Sequence, residues 1–248
     1  MSPINLLKFC FINILESSTV SLTAGTEDPY CPAYRLWDRQ IGLTFKPDTA
    51  ETIEIKIDQG SAQEIDRLII PASNNLAGMT LDIKYSDDDG TYTPAIAQWS
   101  GEVGLINKEL TALVKRYEKF IITSPGVIPE ISELFLTKTY TLVNNPRLPV
   151  GPFDLVFNVE RRQTAGGSPR YCKHGEAKQR RTYDLDRIYE ADRATLELLN
   201  AAWDGCKPFW MCDHSGTWIF GELMSPIEIN ESGHQRYQCK LDFMEVLP

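Results

Sequence analysis

Cysteine and histidine are the residues of this sequence with the chemistry to bind a metal or to act as a nucleophile. Four cysteines fall in the last third of the chain: Cys172, Cys206, Cys212 and Cys239. His174 and His214 lie close to them in the sequence. An iron–sulfur cluster or a zinc site usually has closely spaced ligands such as Cys-x-x-Cys, and this chain has no such pair. We therefore predict reduced thiols and no metal site, with an iron–sulfur cluster on these four cysteines as the open alternative.

Catalytic motifs give no better candidate. The sequence has no Gly-x-Ser-x-Gly elbow, phosphate-binding loop, dinucleotide fingerprint or His-Glu-x-x-His helix. Cys172 and His174 would need a third orienting group on a rigid scaffold to act as a dyad, and they lie in a polar, Gly-rich segment instead. We predict that the protein is not an enzyme and has no catalytic residue and no cofactor site.

Composition and charge restrict the classes of partner. The chain has 248 residues, is 42% hydrophobic and 24% charged, and is long enough for two domains with their own cores. Its net charge of −9 argues against general attraction to nucleic acid or to anionic membranes. No run reaches the roughly 20 apolar residues of a membrane helix. The apolar start of the chain is interrupted by Lys8 and Asn13, so we expect it to be the first strand of a domain and not a secretion signal. We therefore expect the protein to be made in the cytoplasm.

The elements that would position any site are mainly strands. Apolar and polar residues alternate in residues 53–57, 81–85, 153–159 and 237–243, which is typical of strands with one buried face. Turn signals such as Asp89-Gly90 and Ser215-Gly216 separate them, so the pattern predicts antiparallel sheets. One helix is predicted from Asp192 as its cap to Gly205, and residues 105–116 are interpreted as a second short helix.

The prolines of residues 143–151 indicate a domain boundary. Proline stiffens a chain and removes backbone donors, so this stretch is suited to a short connector. We expect one β domain in residues 1–142 and a second domain in residues 152–248.

The first domain carries short segments in a characteristic order. They are residues 34–39 (YRLWDR), 57–60 (IDQG), 74–76 (NNL), 85–90 (YSDDDG), 116–122 (RYEKFII) and 129–135 (PEISELF). Together they resemble the galactose-binding-like (discoidin-type) domains. The resemblance implies a jelly-roll β-sandwich whose loops at one end bind sugars, lipid headgroups or calcium. The matching loop residues are Trp37, Asp38, Arg39, Asn74, Asn75 and Trp99. The competing interpretation places Trp37 in the core and makes Asp38 a turn residue.

The second domain is expected to consist of strands, one helix and more strands, with a long polar excursion over residues 161–181. This order resembles the tail-tube-like fold of phage tail-tube, distal-tail and baseplate-hub proteins. The excursion has no hydrophobic alternation, and loops of this length are usually functional or disordered. In a symmetric ring, a hairpin arm made from it would order against a neighbouring subunit. A solvated loop and contact with DNA passing through a tube are the alternatives.

These features lead to one main hypothesis and one alternative. The main hypothesis is a structural component of a phage tail tip or baseplate, a homo-oligomeric ring that joins tail tube to tip, made in the host cytoplasm and located in the virion tail. Its partners would be other copies and other tail proteins, with no membrane. The alternative is a carbohydrate-binding adhesion module acting through the loops of the first domain.

Overall fold

A computed structural model describes residues 5–123, 126–144, 146, 153–157, 159–163, 169–173, 175–233 and 236–247. Antiparallel strands dominate the described residues, and the one α-helix among them is α1 (Glu190–Trp203). The strands are β1 (Lys8–Cys10), β2 (Thr19–Ala24), β3 (Ile53–Ile70), β4 (Thr80–Ser86), β5 (Thr93–Pro94), β6 (Trp99–Ser100), β7 (Ile106–Thr123), β8 (Phe135–Thr137), β9 (Tyr140–Thr141), β10 (Asp154–Val156), β11 (Val159–Gln163), β12 (Pro169–Lys173), β13 (Lys178–Ile188), β14 (Phe209–Cys212), β15 (Trp218–Leu223), β16 (Asn230–Gly233) and β17 (Arg236–Glu245). The predicted mainly-β fold class is confirmed.

The chain divides into two compact units, and one of them is inserted into the other. The sandwich unit is residues 12–139, and the helix-containing unit combines residues 1–11 with 140–247. The boundary differs from the expected domain 1–142 because Leu7, Phe9 and Phe11 are buried in the core of the helix-containing unit. Strand β1 pairs there with β14 and β9. Most of the expected connector, residues 143–151, lies outside the described residues.

The sandwich unit is built around two long strands, β3 and β7. Its sheet runs β2-β3-β7-β4-β5, with β8 added to β3 and β6 added to β4. The register of β3 and β7 shifts between Asp58 and Gln63, where Gly60 has a φ of +72°. Apolar residues on both sides of this bend belong to one core, and the unit matches the predicted jelly-roll sandwich.

The prediction of a helix at residues 105–116 is wrong, because residues 106–116 belong to strand β7. Ile106, Leu110 and Leu113 lie at helical spacing and are buried. The same segment nevertheless pairs with β3 along its length. Cross-strand pairing outweighs local pattern here, as is common for strands inside a sheet.

The helix-containing unit has an eight-stranded sheet in the order β10-β13-β17-β15-β14-β1-β9, with β16 added to β17. Helix α1 buries Leu196, Leu199 and Trp203 in the same core as the sheet residues Tyr183 and Leu241. The expected cap, Asp192, lies inside the helix; the cap is Tyr189. Asp192 is buried. Its carboxylate accepts hydrogen bonds from the backbone N–H of Val143 and from the side-chain amide of Asn144. No helix among the described residues has the length and apolar character needed to cross a membrane.

The expected arm is a β-hairpin. Strands β10 and β13 pair at the edge of the large sheet, and β11 and β12, which lie between them in sequence, pair with each other as a separate two-stranded sheet. The paired strands of the predicted hairpin arm are therefore present in the described residues, and residues 164–168 lie outside them.

Candidate functional site

The loop with Trp37, Asp38 and Arg39 is held by its own side chains. Trp37 packs against the sandwich core. The Asp38 carboxylate accepts a hydrogen bond from the Gln40 backbone at 2.9 Å, and burial raises the pKa of Asp38. These two residues therefore match the competing interpretation of a core tryptophan and a turn aspartate.

Arg39 links this loop to a buried carboxylate. It has a φ of +59°, and its backbone N–H donates to Glu133 Oε2 at 2.9 Å. Its guanidinium pairs with Glu16 and lies over the Phe135 ring, 5.2 Å from the ring centre. Burial raises the pKa of Glu133 well above its usual range. These bonds fix the loop and leave Arg39 buried.

Asn74 and Asn75 join neighbouring loops. The Asn74 amide donates to the carbonyl of Gly104 at 3.0 Å, and its oxygen accepts from the Leu76 backbone at 3.0 Å. The Asn75 amide donates to the carbonyl of Ile128 at 2.9 Å, and its oxygen accepts from the Glu130 backbone at 2.7 Å. Both side chains are thus used in holding the loops.

The loops expected to bind a sugar do come together at one place. Ile131 forms bridges with both Phe45 and Asn74, so the loops after β2, β3 and β7 are adjacent. Trp99 lies opposite Leu81 in the β4–β6 pair and packs against the core. The structure therefore brings the predicted loops together, but the predicted side chains mainly stabilise them.

These loops also carry exposed apolar side chains that the sequence analysis did not single out. The Tyr30 side chain is 84% exposed and that of Tyr34 is 53% exposed. Val103, in the loop before β7, is 91% exposed. Exposed tyrosine rings offer an apolar face and a polar end to a ligand. The sequence signal was two tyrosines in a Pro- and Asp-containing stretch without the alternation of a strand.

The cysteines are separated by their environments. Cys212 and Cys239 are buried and Cys206 is exposed. Burial raises the pKa of the Cys239 thiol to about 12, so it stays protonated and is a poor metal ligand. The described residues contain no group of three or more His, Cys, Asp or Glu side chains that could hold a metal ion. The side chains of Cys172 and His174 are outside the described residues.

His214 belongs to a structural turn. Asp213 is fully buried, accepts hydrogen bonds from the backbone of Ser215 and Thr217, and pairs with Arg181 at 2.8 Å. His214 Nδ1 lies 3.4 Å from the hydroxyl of Tyr183, whose pKa burial raises to about 12. The group closes the β14–β15 hairpin, and this arrangement supplies no activated nucleophile.

Apolar side chains are exposed in the edge strand β10 and in the two residues that flank it. Exposed fractions are 45% for Phe153, 52% for Leu155, 37% for Val156 and 50% for Phe157. Strand β10 is one end of the eight-stranded sheet. Exposed apolar edge strands are templates for pairing with another chain, and natural proteins usually protect them. This edge is therefore a candidate assembly surface.

The hairpin of β11 and β12 is basic, whereas the chain is acidic. Residues 159–173 hold four basic residues and one acidic residue, a net charge of +3. Because the whole chain carries −9, the remaining residues carry −12. The register places the positions of Arg162 and Arg170 opposite each other. An acidic surface on a neighbouring chain would therefore complement the net positive charge of this hairpin.

A cleft of about 650 Å³ lies beside β13 and β17 in the same unit. Its lining includes the carboxylates of Asp184, Asp186, Glu228 and Asp242. Asp242 forms an ion pair with Arg180 and accepts a hydrogen bond from Thr182, and the Arg180 guanidinium lowers the pKa of Asp242. The cleft is an acidic surface within the unit that carries the basic hairpin.

Comparison with known proteins assigns no family to the chain. No protein-family model and no curated protein matches it. Among solved structures, a GH29 fucosidase from Ruminococcus gnavus in complex with fucose is 17% identical over 52% of this chain, with a TM-score of 0.46. The match spans only 27% of the fucosidase chain.

Two further solved structures are small modules. Chitosan-binding module 1 of a chitosanase/glucanase from Paenibacillus sp. IK-5 is 18% identical over 51% of this chain and 99% of its own, with a TM-score of 0.45. The module CBM32-1 of a family 31 glycoside hydrolase from Clostridium perfringens is 17% identical over 52% of this chain and 99% of its own, with a TM-score of 0.43. Similarities of this size assign neither a family nor a ligand.

Proposed function

We propose that this protein is a structural protein whose copies assemble through the helix-containing unit. The observation that carries the proposal is the hairpin of β11 and β12, which pairs only with itself within the described part of the chain. An isolated two-stranded hairpin is at best marginally stable in water. Contact with a neighbouring copy would supply the missing burial and, through the acidic remainder of the chain, the missing counter-charge.

The edges of the large sheet support a ring as the form of assembly. The sheet ends at β10 on one side and at β9 on the other, so the two edges are different surfaces. Contacts between unlike surfaces are head-to-tail, and they close into a ring when the rotation between copies allows it. A closed ring also protects both edges. The phage tail tip is the setting that the sequence resemblance implies, and in it the ring would join the tail tube to the tip.

Replacement of the hairpin tests the assembly proposal. Exchanging residues 159–173 for a short Gly-Ser turn keeps the β10–β13 pair, so the fold should survive, as measured by circular dichroism. We expect the wild-type chain to form oligomers in multi-angle light scattering and the variant to remain monomeric at the same concentration. In purified phage particles, the variant should fail to incorporate. Wild-type and variant chains with the same mass in solution and equal incorporation would refute the proposal.

Carbohydrate binding by the sandwich unit is the second candidate function. It is favoured by the exposed rings of Tyr30 and Tyr34 in loops that the structure brings together. Sugar sites commonly combine an aromatic surface with a few polar groups, and the Lys46–Glu130 pair at 2.7 Å lies in the same loops.

A glycan array with the full chain tests this candidate. The double variant Tyr30→Ala/Tyr34→Ala should lose at least about tenfold in affinity for any glycan retained, corresponding to about 1.4 kcal/mol. Tyr189→Ala is the matched control, because Tyr189 is 48% exposed and lies in the other unit. Equal retention by all three proteins would exclude these tyrosines, and no retention by the wild type would remove the candidate.

A further inference from the structure

The bend of strand β3 in the sandwich unit rests on a buried polar pair. Glu118 on β7 is 1% exposed and Gln59 on β3 is 5% exposed. The Gln59 amide nitrogen donates to Glu118 Oε2 at 2.6 Å. Gln59 is the first residue after Asp58, where the β3–β7 register begins to shift. The pair therefore joins the two long strands at the point where they bend.

The hydrogen bonds of this pair are incomplete if Glu118 is a carboxylate. Glu118 Oε1 and Gln59 Oε1 are both buried, and neither has a donor among the described residues. Two acceptors on side chains that are already joined would then remain unsatisfied, and one would carry buried charge. Burial of such groups without partners is costly.

A single proton on Glu118 satisfies both atoms. A protonated carboxyl has one O–H donor, and the amide oxygen of Gln59 is an acceptor. We propose that Glu118 is protonated in the folded protein and forms a cyclic two-bond pair with Gln59, in which Glu118 Oε1–H donates to Gln59 Oε1. The pair makes the contact between β3 and β7 at the bend sensitive to pH. Removal of this proton breaks one hydrogen bond and leaves an unpaired buried charge on Glu118.

The charged groups around the pair are engaged elsewhere. The basic groups on the flanking strands have acidic partners: Arg116 with Asp58, Lys56 with Asp89, Lys119 with Glu54, and Lys84 with Asp82. In the turn after β4, Asp88 is bonded to Ser86, Lys115 pairs with Asp87, and the hydroxyl of Tyr92 donates to Asp89. The neighbours of Glu118 include two tyrosines. Tyr85 on β4 lies opposite Glu118, and Tyr117 precedes Glu118 on β7. No cation is bonded to Glu118 in the described residues.

Burial is the main cause that raises the pKa of Glu118, to about 7, and the negative charge of Asp58 raises it further. The hydrogen bond from Gln59 opposes this increase. The unfolded chain releases the proton near the ordinary pKa of 4.5, whereas the folded chain keeps it up to about pH 7. Stability from this group is therefore complete at low pH, falls as pH rises from about 4.5 to about 7, and is lost above that range.

Unfolding of the full chain as a function of pH tests the protonation of Glu118. In Glu118→Gln, an amide replaces the acid, so both bonds can form without a titrating proton. We expect the wild-type unfolding equilibrium constant, relative to that of the variant, to rise about 40-fold in total between pH 5 and 7. Urea unfolding read by pulse-labelling mass spectrometry of peptides from β3 and β7 reports on this unit. Parallel pH profiles for the two proteins would overturn the proposal.

A spectroscopic titration of the wild type decides the question even if the variant does not fold. Glutamate side chains labelled with ¹³C at the carboxyl carbon give one resonance each. The proposal requires the resonance assigned to Glu118 to titrate near pH 7 in the folded protein and at the ordinary value in urea. Assignment is needed because burial also raises the pKa of Glu133. Titration of the Glu118 resonance near the ordinary value of 4.5 in the folded state would overturn the proposal.

Discussion

At the scale of single residues, the sandwich unit is stabilised by a few buried polar side chains that bond across the sequence. Asn13 is 2% exposed. Its amide nitrogen donates to Glu133 Oε1 at 3.2 Å and to the carbonyl of Leu134 at 2.9 Å. Its oxygen accepts from the backbone of Leu15 and Leu136, each at 3.3 Å. Asn13 thereby ties the start of the unit to its end, and it supplies one of the donors to the buried Glu133.

Replacement of Asn13 is expected to be strongly destabilising. Asn13→Ala leaves buried backbone and carboxylate groups without partners, which should lower the free energy of unfolding by about 2–4 kcal/mol. Asn75→Ala is the matched control, because Asn75 also bonds two backbone groups but is exposed. We expect the control to cost about 1 kcal/mol or less. Urea denaturation of both variants measures the difference, and equal losses would show that burial of Asn13 is not the cause.

At the scale of elements, helix α1 and strand β10 of the helix-containing unit both expose leucine side chains. The two elements differ in how many apolar neighbours are exposed and in whether they form the edge of a sheet. Helix α1 exposes Leu198 on its outer face while Leu196 and Leu199 are buried. Single exposed leucines of this kind are ordinary on protein surfaces. Strand β10 and its two flanking residues instead expose four apolar side chains at the edge of a sheet. Edge position and apolar character together make β10 a candidate assembly surface, whereas Leu198 is an ordinary exposed side chain.

A pair of leucine substitutions tests the edge strand. Leu155→Lys places a charge on β10, where Leu155 is 52% exposed, and lysine on an edge strand opposes pairing with another chain. We expect loss of oligomers and a change in stability within about 0.5 kcal/mol. Leu198→Lys is the control, since Leu198 is 48% exposed on α1. Sedimentation velocity compares the two; if Leu155→Lys still assembles, β10 is not the contact.

At the scale of the whole molecule, the sandwich unit is an insertion between two neighbouring strands. Phe9 on β1 lies opposite Tyr140 on β9, so the chain leaves and re-enters the helix-containing unit at adjacent positions. Each unit has its own core. Insertions of this type are tolerated when the ends of the inserted domain are close together. The arrangement gives the chain two units that each have their own core.

Separation of the two units is therefore expected to leave both folded. Residues 12–139 alone should unfold cooperatively, and so should a chain in which these residues are replaced by a short Gly-Ser linker. The physical reason is that each part retains its own buried apolar residues and its own sheet. Circular dichroism and two-dimensional NMR spectra measure the outcome. Loss of dispersed NMR signals in either part would contradict the division into independent units.

The sequence by itself determined the mainly-β class, helix α1, the hairpin arm and most strand positions. These features depend on the local alternation of apolar residues and on turn residues, which can be recognised in one segment at a time. It did not determine that Lys8–Cys10 joins β14, or that residues 105–116 form part of β7. Alternation predicts that one face is buried but not which distant segment covers it, and the alternating residues 153–157 are in fact exposed.

Only the tertiary structure decided which polar and aromatic residues are available to a partner. Asn74, Asn75 and Arg39 match a binding-loop pattern in the sequence, yet their bonds hold the loops together. Glu118 resembles any other charged residue of an alternating strand, but the bend of β3 encloses it with Gln59. Exposure and hydrogen bonding depend on contacts between residues that are far apart in the chain, so they arise only when the strands have packed.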